Sequence, residues 1–297
     1  MRLGIDWGGT KIEIIALDDG GHELHRERVA TPRDDYEGCI EAVAGLVARA
    51  EAATGKTGTL GLGIPGSISP ATGLVKNANS TWMNGKPLDK DLEKRLDRPV
   101  RIQNDANCLA VSEATDGAAA GCHFVHAIII GTGSGSGIAI DGRAHRGANG
   151  IGGEWGAIPV PWLKPEEFPG PSNWLGHPGA IDHWCSGTGF QADYTARSGT
   201  ALNGHEIMAR KREGDALATA TYEAYASRLA RALAMAANLM DPDCFVLGGG
   251  MSNVDELYED LPGLMAPFIM SDHYEVPIRK AKHGDSSGVR GAAWLWE

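Results

Sequence analysis

Apolar and polar positions alternate from the start of the chain: Leu3, Ile5 and Trp7 share one face of residues 2–7, which predicts a strand. After a Gly-Gly turn, IEIIAL at 12–17 predicts its hairpin partner, and HELHRERVA at 22–30 predicts a third strand. The period then lengthens. Ile40, Val43, Val47 and Ala50 recur at helical spacing, so residues 36–53 are expected to form an amphipathic helix stopped by Gly55. TLGLGI at 59–64 reads as a buried strand, Leu88, Leu92 and Leu96 mark a helix, PVRIQN at 99–104 a strand, and residues 106–119 a helix.

The second half repeats this plan. FVHAIII, a glycine-rich turn, GIAIDG and a third short strand precede helices interrupted by CFVL at 244–247 and PIRKAK at 277–282. Such repetition predicts a duplicated α/β unit with a cleft between its halves, and ligands of such folds gather at the carboxyl ends of strands. The first domain is expected to span residues 1–117, completed by the C-terminal helix 287–297, and the second to span 118–286, with the crossover near DGAAAG at 116–121.

Composition narrows the classes of partner. The 297 residues are 42% apolar and 22% charged, ordinary globular values, and the net charge of -11 repels both nucleic-acid phosphates and anionic membranes. Five scattered cysteines, Cys39, Cys108, Cys122, Cys185 and Cys244, suit a reducing compartment. With no signal-peptide pattern at MRLGIDWGG and no apolar run approaching 18 residues, the expectation is a soluble, cytoplasmic protein.

Two glycine-rich turns carry candidate chemistry. DWGGTK at 6–11 sets Asp6, Gly8, Gly9, Thr10 and Lys11 in one hairpin, where converging N–H groups, a hydroxyl and an ammonium suit phosphate oxygens and Asp6 suits a hydrated cation. GTGSGSG at 131–137 stands at the equivalent place in the second half, and GGG at 248–250 is a third close-approach loop. Each is by itself also an ordinary tight turn, but two in equivalent positions favour phosphate. Neither turn has the spacing or the following helix of a Walker or Rossmann loop.

A polar constellation accompanies them. KNANSTW at 76–82 and QNDAN at 103–107 are runs of amides, which donate and accept together as vicinal sugar hydroxyls require. Asp105 has two readings: a helix N-cap, or a general base that takes a proton from a hydroxyl attacking a γ-phosphate. Glu154, in GGEWG at 152–156, is either a solvated loop acid or a bridge between adjacent hydroxyls. GPSNWLGHPGAIDHWCSGTG at 170–189 offers His177, Asp182, His183 and Cys185 as zinc donors, yet their spacing matches no standard ligand pattern.

Taken together, DWGGTK, GIPGSISP, KNANSTW, NDAN, IIGTGSGSG, GGEWG and LGGGMSN resemble, in order, the motifs of the ROK family of bacterial sugar kinases. TPRDDY, NANSTW, LAVSEA and KHGDSSGVRGAAWLW are similar to its fructokinases and mannokinases. The resemblance implies the actin-like, ribonuclease H-related fold, ATP and Mg²⁺ as cofactors, and a homodimer. By position it makes Asp105 the catalytic base acting on the sugar 6-hydroxyl, with Asn79, Asn104 and Glu154 on the other hydroxyls. It sets Gly8, Gly9, Thr10 and Lys11 on the β- and γ-phosphates with Mg²⁺ near Asp6. Gly131, Thr132, Gly133, Gly248, Gly249 and Gly250 would complete the nucleotide site.

One segment departs from the family's pattern. The family's zinc-binding histidine and three cysteines are replaced by Ala157, Asn173, Leu175 and Ala180, and a sugar-binding glutamate becomes Asp182. The expectation is therefore a loop without zinc, held by the packing of Trp162, Trp174, Leu175, Ile181 and Trp184, with Asp182 still reaching for the sugar. The leading functional expectation is an ATP-dependent fructokinase or mannokinase. The alternatives are a kinase for glucose or an N-acetylhexosamine, or a sugar-binding regulator without catalysis. Met1 stands five residues before Asp6, which is expected to leave no room for a DNA-binding domain.

Overall fold

Strands β1 (Arg2–Trp7) and β2 (Lys11–Leu17) form the hairpin that the alternation predicts, and β3 (Glu23–Ala30) pairs antiparallel with β2. A computed structural model describes residues 1–173, 175–284 and 287–296 of the chain. Helix α1 (Tyr36–Thr54) starts where the Asp35 carboxylate accepts the Gly38 N–H and stops at Gly55, whose φ of 64° suits glycine. β4 (Thr59–Ile64), the short ribbon β5 (Ser67–Ile68) and β6 (Val75–Lys76), α2 (Leu88–Leu96), β7 (Val100–Asn104) and α3 (Asp105–Thr115) follow.

Helix α3 ends four residues before its expected limit at residue 119. A β-carbon on Gly117 would lie 2.5 Å from the Cα of Glu113, so the chain folds back directly onto the helix. The fully buried Glu113 carboxylate holds this bend, accepting the N–H groups of Ala118 and Lys282 and the hydroxyl of Ser287.

The later elements are β8 (Phe124–Ile130), β9 (Ser134–Ile140), β10 (Arg143–Ala144), α4 (Ile181–Trp184), α5 (Gly187–Ser198), α6 (Gly204–Arg212) and α7 (Ala216–Met240). β11 (Cys244–Gly248), α8 (Glu256–Met265), β12 (Ile278–Lys280) and α9 (Ser287–Ala293) complete them. β9 begins at Ser134, so the second glycine turn is tighter than the expected 131–137. One sheet runs β3-β2-β1-β4-β7 and another β10-β9-β8-β11-β12, the same third-second-first-fourth-fifth order. In the first sheet β1, β4 and β7 are parallel, and in the second β11 and β12 are parallel. The duplication read in the sequence is thus a repeated sheet topology.

The chain divides into a first unit, Met1–Val125 with Gly137–Gly153 and Lys282–Glu297, and a second, His126–Ser136 with Glu154–Ala281. In the first, Leu3, Ile5, Ile12 and Ile14 pack against Val43, Leu46 and Val47 of α1. Helix α9 covers the other face, where Ile15 and Leu17 meet Val289 and Ala293. Its backbone approaches at Gly4 and Gly61, where added β-carbons would stand 2.1 and 1.9 Å from the carbonyl oxygens of Val289 and Ala292. In the second unit, Tyr225, Leu229 and Leu233 of α7 share a core with Phe190, Phe245 and Leu257.

The loop expected to be held by apolar packing is so held at Ile181 and Trp184, which pack on the core of the second unit, and is tied by polar groups besides. Trp162 is 50% and Leu175 49% exposed, and Trp174 lies outside the described residues; of the described anchors only Ile181 is fully buried. The buried Glu167 carboxylate receives Arg231 at 2.6 and 2.8 Å and Arg228 at 3.1 Å. Arg228 also pairs with Asp193 at 2.9 Å and lies over the Trp184 ring at 3.7 Å, and Arg231 donates to the Trp162 carbonyl at 2.7 Å. Asn173, at one of the family's cysteine positions, is buried and donates to the carbonyl of Ala157, the histidine position, at 3.2 Å. Its own oxygen accepts the N–H groups of Leu175 and His177. A chain that must desolvate many loop carbonyls needs such donors and acceptors, which apolar packing cannot supply.

Gly61→Ala is expected to force α9 outward and cost about 1 to 3 kcal/mol, the range for overpacking; an unchanged melting temperature would contradict this packing. Glu167→Gln leaves the buried Arg231 without a carboxylate, while Arg228 keeps Asp193, and is expected to cost about 3 to 5 kcal/mol. Metal analysis of protein purified without a histidine tag should find no stoichiometric zinc, and a tightly held zinc in each chain would overturn this account of the loop.

Candidate active site

In the first unit, the turn after β1 is closed by the Gly8 N–H donating to the Lys11 carbonyl at 3.0 Å. Thr31, which the sequence reading did not single out, braces it: its hydroxyl donates to the Gly8 carbonyl at 2.8 Å and its N–H to the Thr10 carbonyl at 3.1 Å. The turn's shape is therefore fixed from its own carbonyl side. Asp6 stands at its entrance, and burial, then the charges of Asp105 and Glu13, push its carboxyl up to about 6 against the opposing pull of Lys11 and Arg28. Two carboxylates that repel each other in a desolvated place are a hard oxygen donor set suited to Mg²⁺.

The two readings of Asp105 separate in the structure. The N-cap of α3 is Asn104, whose side-chain oxygen accepts the Asn107 N–H at 2.8 Å. Asp105 is the first helical residue, and its Oδ1 accepts the Ala106 N–H at 2.8 Å and the Asn104 amide at 3.3 Å. Capping is thus the work of Asn104. The buried Asn107 in turn accepts the Ile138 N–H at 3.2 Å and ties α3 to β9. Asn79 is exposed, its backbone N–H donating to the Pro65 carbonyl at 3.2 Å.

In the second unit, the Gly131 N–H donates to the Gly133 carbonyl at 3.0 Å, closing the turn between β8 and β9. The start of α5 docks on it: the Gly187 N–H meets the Gly131 carbonyl at 2.7 Å and the Thr188 hydroxyl donates to the Thr132 carbonyl. Of the triplet, Gly248 ends β11, while Gly249 has a φ of 81° and a β-carbon there would stand 2.9 Å from the Ile130 carbonyl carbon. These segments line a cavity of about 370 Å³, to which Gly187, Thr188, Gln191, Asn203, Met208 and Met251 also contribute. Sequence reasoning missed these six. The signal available was SGTG at 186–189, in which Ser186 caps α5 through the Gly189 N–H.

Glu154 is exposed and precedes a single 3₁₀ turn, Trp155–Ala157. Trp155 is buried edge-on to His126, with ring centres 5.9 Å apart, and the His126 Nε2 pairs with the Ser136 hydroxyl at 2.8 Å. Burial pulls the His126 imidazole down to about 3, so it is a neutral packing group. Asp182, on α4, is half-buried, and its Oδ1 accepts the Ser134 N–H at 2.9 Å. Among the described residues, no three His, Cys, Asp or Glu side chains are gathered as a metal site. His177 and His183 lie beside Asp182 and Cys185 in sequence without forming one.

The family model described as the ROK family matches residues 2–297. The chain is similar to the N-acetyl-D-glucosamine kinase of Haemophilus influenzae (strain 86-028NP), 38% identical over 301 residues covering 100% of this chain and 99% of that protein. It is 40% identical to the enzyme of the same name from Vibrio cholerae serotype O1, over 99% of each chain. Among solved structures it resembles a ROK family glucokinase from Streptomyces griseus in complex with glucose and AMPPNP, with a TM-score of 0.78 and 29% identity over 99% of this chain and 98% of that one. The fold is the actin-like one of ROK kinases.

The raised Asp6 carboxyl has a consequence for stability. Its proton is held more tightly in the folded than in the unfolded chain, so the ligand-free protein loses stability as pH rises from about 4 through about 6. Asp6→Asn is expected to raise the melting temperature above pH 6 and to leave it nearly unchanged near pH 4. Equal shifts at both values would contradict the burial of this charge.

Proposed function

The chain belongs to the ROK family, and on that premise we propose that it is an ATP-dependent sugar kinase that phosphorylates the 6-hydroxyl of an N-acetylhexosamine, in the first instance N-acetyl-D-glucosamine. The observation that carries the sugar is the full-length identity of 38% and 40% to two enzymes named N-acetyl-D-glucosamine kinase. The narrower expectation of fructose or mannose gives way to the alternative that the sequence left open. Motifs such as NANSTW are built around hydroxyls that hexoses share, so they identify a hexose kinase without reading the substituent at carbon 2.

Within this reading, the Asp105 carboxylate accepts the proton of the sugar hydroxyl as its oxygen attacks the γ-phosphorus. The new O–P bond forms while the bond from the γ-phosphorus to the β–γ bridging oxygen breaks, and ADP leaves. The position of Asp105 at the first turn of α3 stabilises its charge, and Asn104 and the Ala106 N–H fix Oδ1. Asn79, Asn104 and Glu154 are assigned to the remaining hydroxyls, Asn104 doubling as the helix cap. Gly8, Gly9, Thr10 and Lys11 receive the β- and γ-phosphates, and the nucleotide is assigned to the turn at Gly131, Thr132 and Gly133, the triplet Gly248, Gly249 and Gly250, and the adjoining cavity. Mg²⁺, held near Asp6, would supply neutralisation of phosphate charge. Catalysis is then positioning and electrostatics. A homodimer and a cytoplasmic location belong to the same proposal.

A coupled ADP assay across N-acetylglucosamine, N-acetylmannosamine, glucose, mannose and fructose is expected to give the highest kcat/KM with N-acetylglucosamine; a preference for fructose or mannose would restore the narrower assignment. Asp105→Asn should keep sugar binding and lose about 10² to 10⁴ in turnover, the range for a positioned base. Near-normal turnover in that variant would refute the role.

A further inference from the structure

Asp182 stands where three segments of the second unit converge. Its Oδ1 accepts the N–H of Ser134, the residue that ends the glycine turn and begins β9. The carboxylate lies close against that turn: a β-carbon at Gly133 would stand 2.5 Å from Oδ1. On its other side, the Asp182 Cβ lies 3.3 Å from where a β-carbon of Gly156 would be, and that same β-carbon would stand 2.5 Å from the Ser134 carbonyl oxygen. The GGEWG loop, the glycine turn and α4 are thus stacked in contact, with the aspartate carboxylate as the polar bond among them. The hydrogen bond is charge-assisted and half-buried, the kind that holds a backbone position most firmly.

We propose that Asp182 is a positioning residue that fixes the 131–134 turn and so governs the affinity for the phosphate donor, in place of a sugar-binding role. The proposal rests on the kinase reading, since the turn is assigned there to the nucleotide. Chain length supports it: the side chain is one methylene shorter than the glutamate of the family pattern, and that shorter reach leaves Oδ1 on the Ser134 N–H. An amide at this position still offers an oxygen to the same N–H, whereas a methyl group offers nothing. Sugar recognition by the charge and turn positioning therefore predict different orders of variants.

The test compares wild type, Asp182→Ala and Asp182→Asn by KM for ATP, KM for the sugar, melting temperature, and direct calorimetric binding of a non-hydrolysable ATP analogue without sugar. Asp182→Ala is expected to weaken ATP and analogue binding about ten- to hundred-fold. Its KM for the sugar should stay within about threefold, and Asp182→Asn should recover most of the loss. A rise in sugar KM without a change in nucleotide affinity, equal rises in both, or no change in either overturns the proposal. If Asp182→Ala does not fold, Asp182→Leu, which also offers no acceptor to the Ser134 N–H, takes its place. Weakened analogue binding in Asp182→Leu beside near-wild-type constants in Asp182→Asn supports turn positioning, and unchanged analogue binding in Asp182→Leu or a more than tenfold rise in sugar KM in Asp182→Asn refutes it. If the wild type phosphorylates no hexose, the kinase reading fails, and the calorimetric comparison still decides whether Asp182 controls nucleotide affinity.

Discussion

A carboxylate moved out of water beside another carboxylate has few ways to be stable: it takes up a proton, or it meets a cation. Asp6 is in that position, desolvated at the end of β1 and repelled by Asp105 and Glu13. The surrounding structure keeps it there. Glu13 stands opposite Asp6 in the register of β1 and β2 and pairs with Arg26 and Arg28 from β3, of which Arg28 also draws the Asp6 carboxyl down. Asn104 takes the capping of the Asn107 N–H, while Asp105 Oδ1 holds the Ala106 N–H. Lys11 and Arg28 offset this repulsion only in part, so the Asp6 carboxyl is left holding its proton up to about pH 6.

The second unit faces a different problem, that of holding a long irregular segment in which Ala157, Asn173, Leu175 and Ala180 stand where the family's pattern has metal ligands. A structural zinc in a small peptide is worth about 10 to 16 kcal/mol, but inside a formed domain the loop needs only its polar groups satisfied. Glu167 with Arg228 and Arg231 does this from below, and Asn173 does it from within, bridging the Ala157 carbonyl to the N–H groups of Leu175 and His177. Two of the positions at which the resemblance sets metal ligands, Ala157 and Asn173, are joined by a hydrogen bond.

Much of the fold was legible because its signals are local. Alternation over six or seven residues marks β1 and β2, and Asp35 and Gly55 mark the ends of α1 within one turn of the helix they bound. The end of α3 was not legible, because it depends on Glu113 meeting Lys282 and Ser287, 169 and 174 residues away. The site divides the same way. The glycine turns and Asp105 are visible as motifs, while the division of labour between Asn104 and Asp105 is a matter of which side-chain oxygen reaches the Asn107 N–H. Apolar packing of the loop is right for Ile181 and Trp184 but not for Trp162 and Leu175, which are large and half exposed. The sign of the polar arrangement was Arg228 and Arg231, three apart in the alanine-rich helix α7, where buried arginines require an acid.

The central claim is that this frame delivers a hexose 6-hydroxyl to Asp105 and the donor's phosphates to the turn beginning at Asp6. A crystal structure with N-acetyl-D-glucosamine, Mg²⁺ and a non-hydrolysable ATP analogue tests it most directly. The account predicts the 6-hydroxyl within about 2.6 to 3.2 Å of the Asp105 carboxylate. It also predicts the terminal phosphates against Gly8 to Lys11 and the base in the cavity lined by Thr188, Gln191 and Met251. A sugar bound with its 6-hydroxyl away from Asp105, or a base outside that cavity, would contradict it.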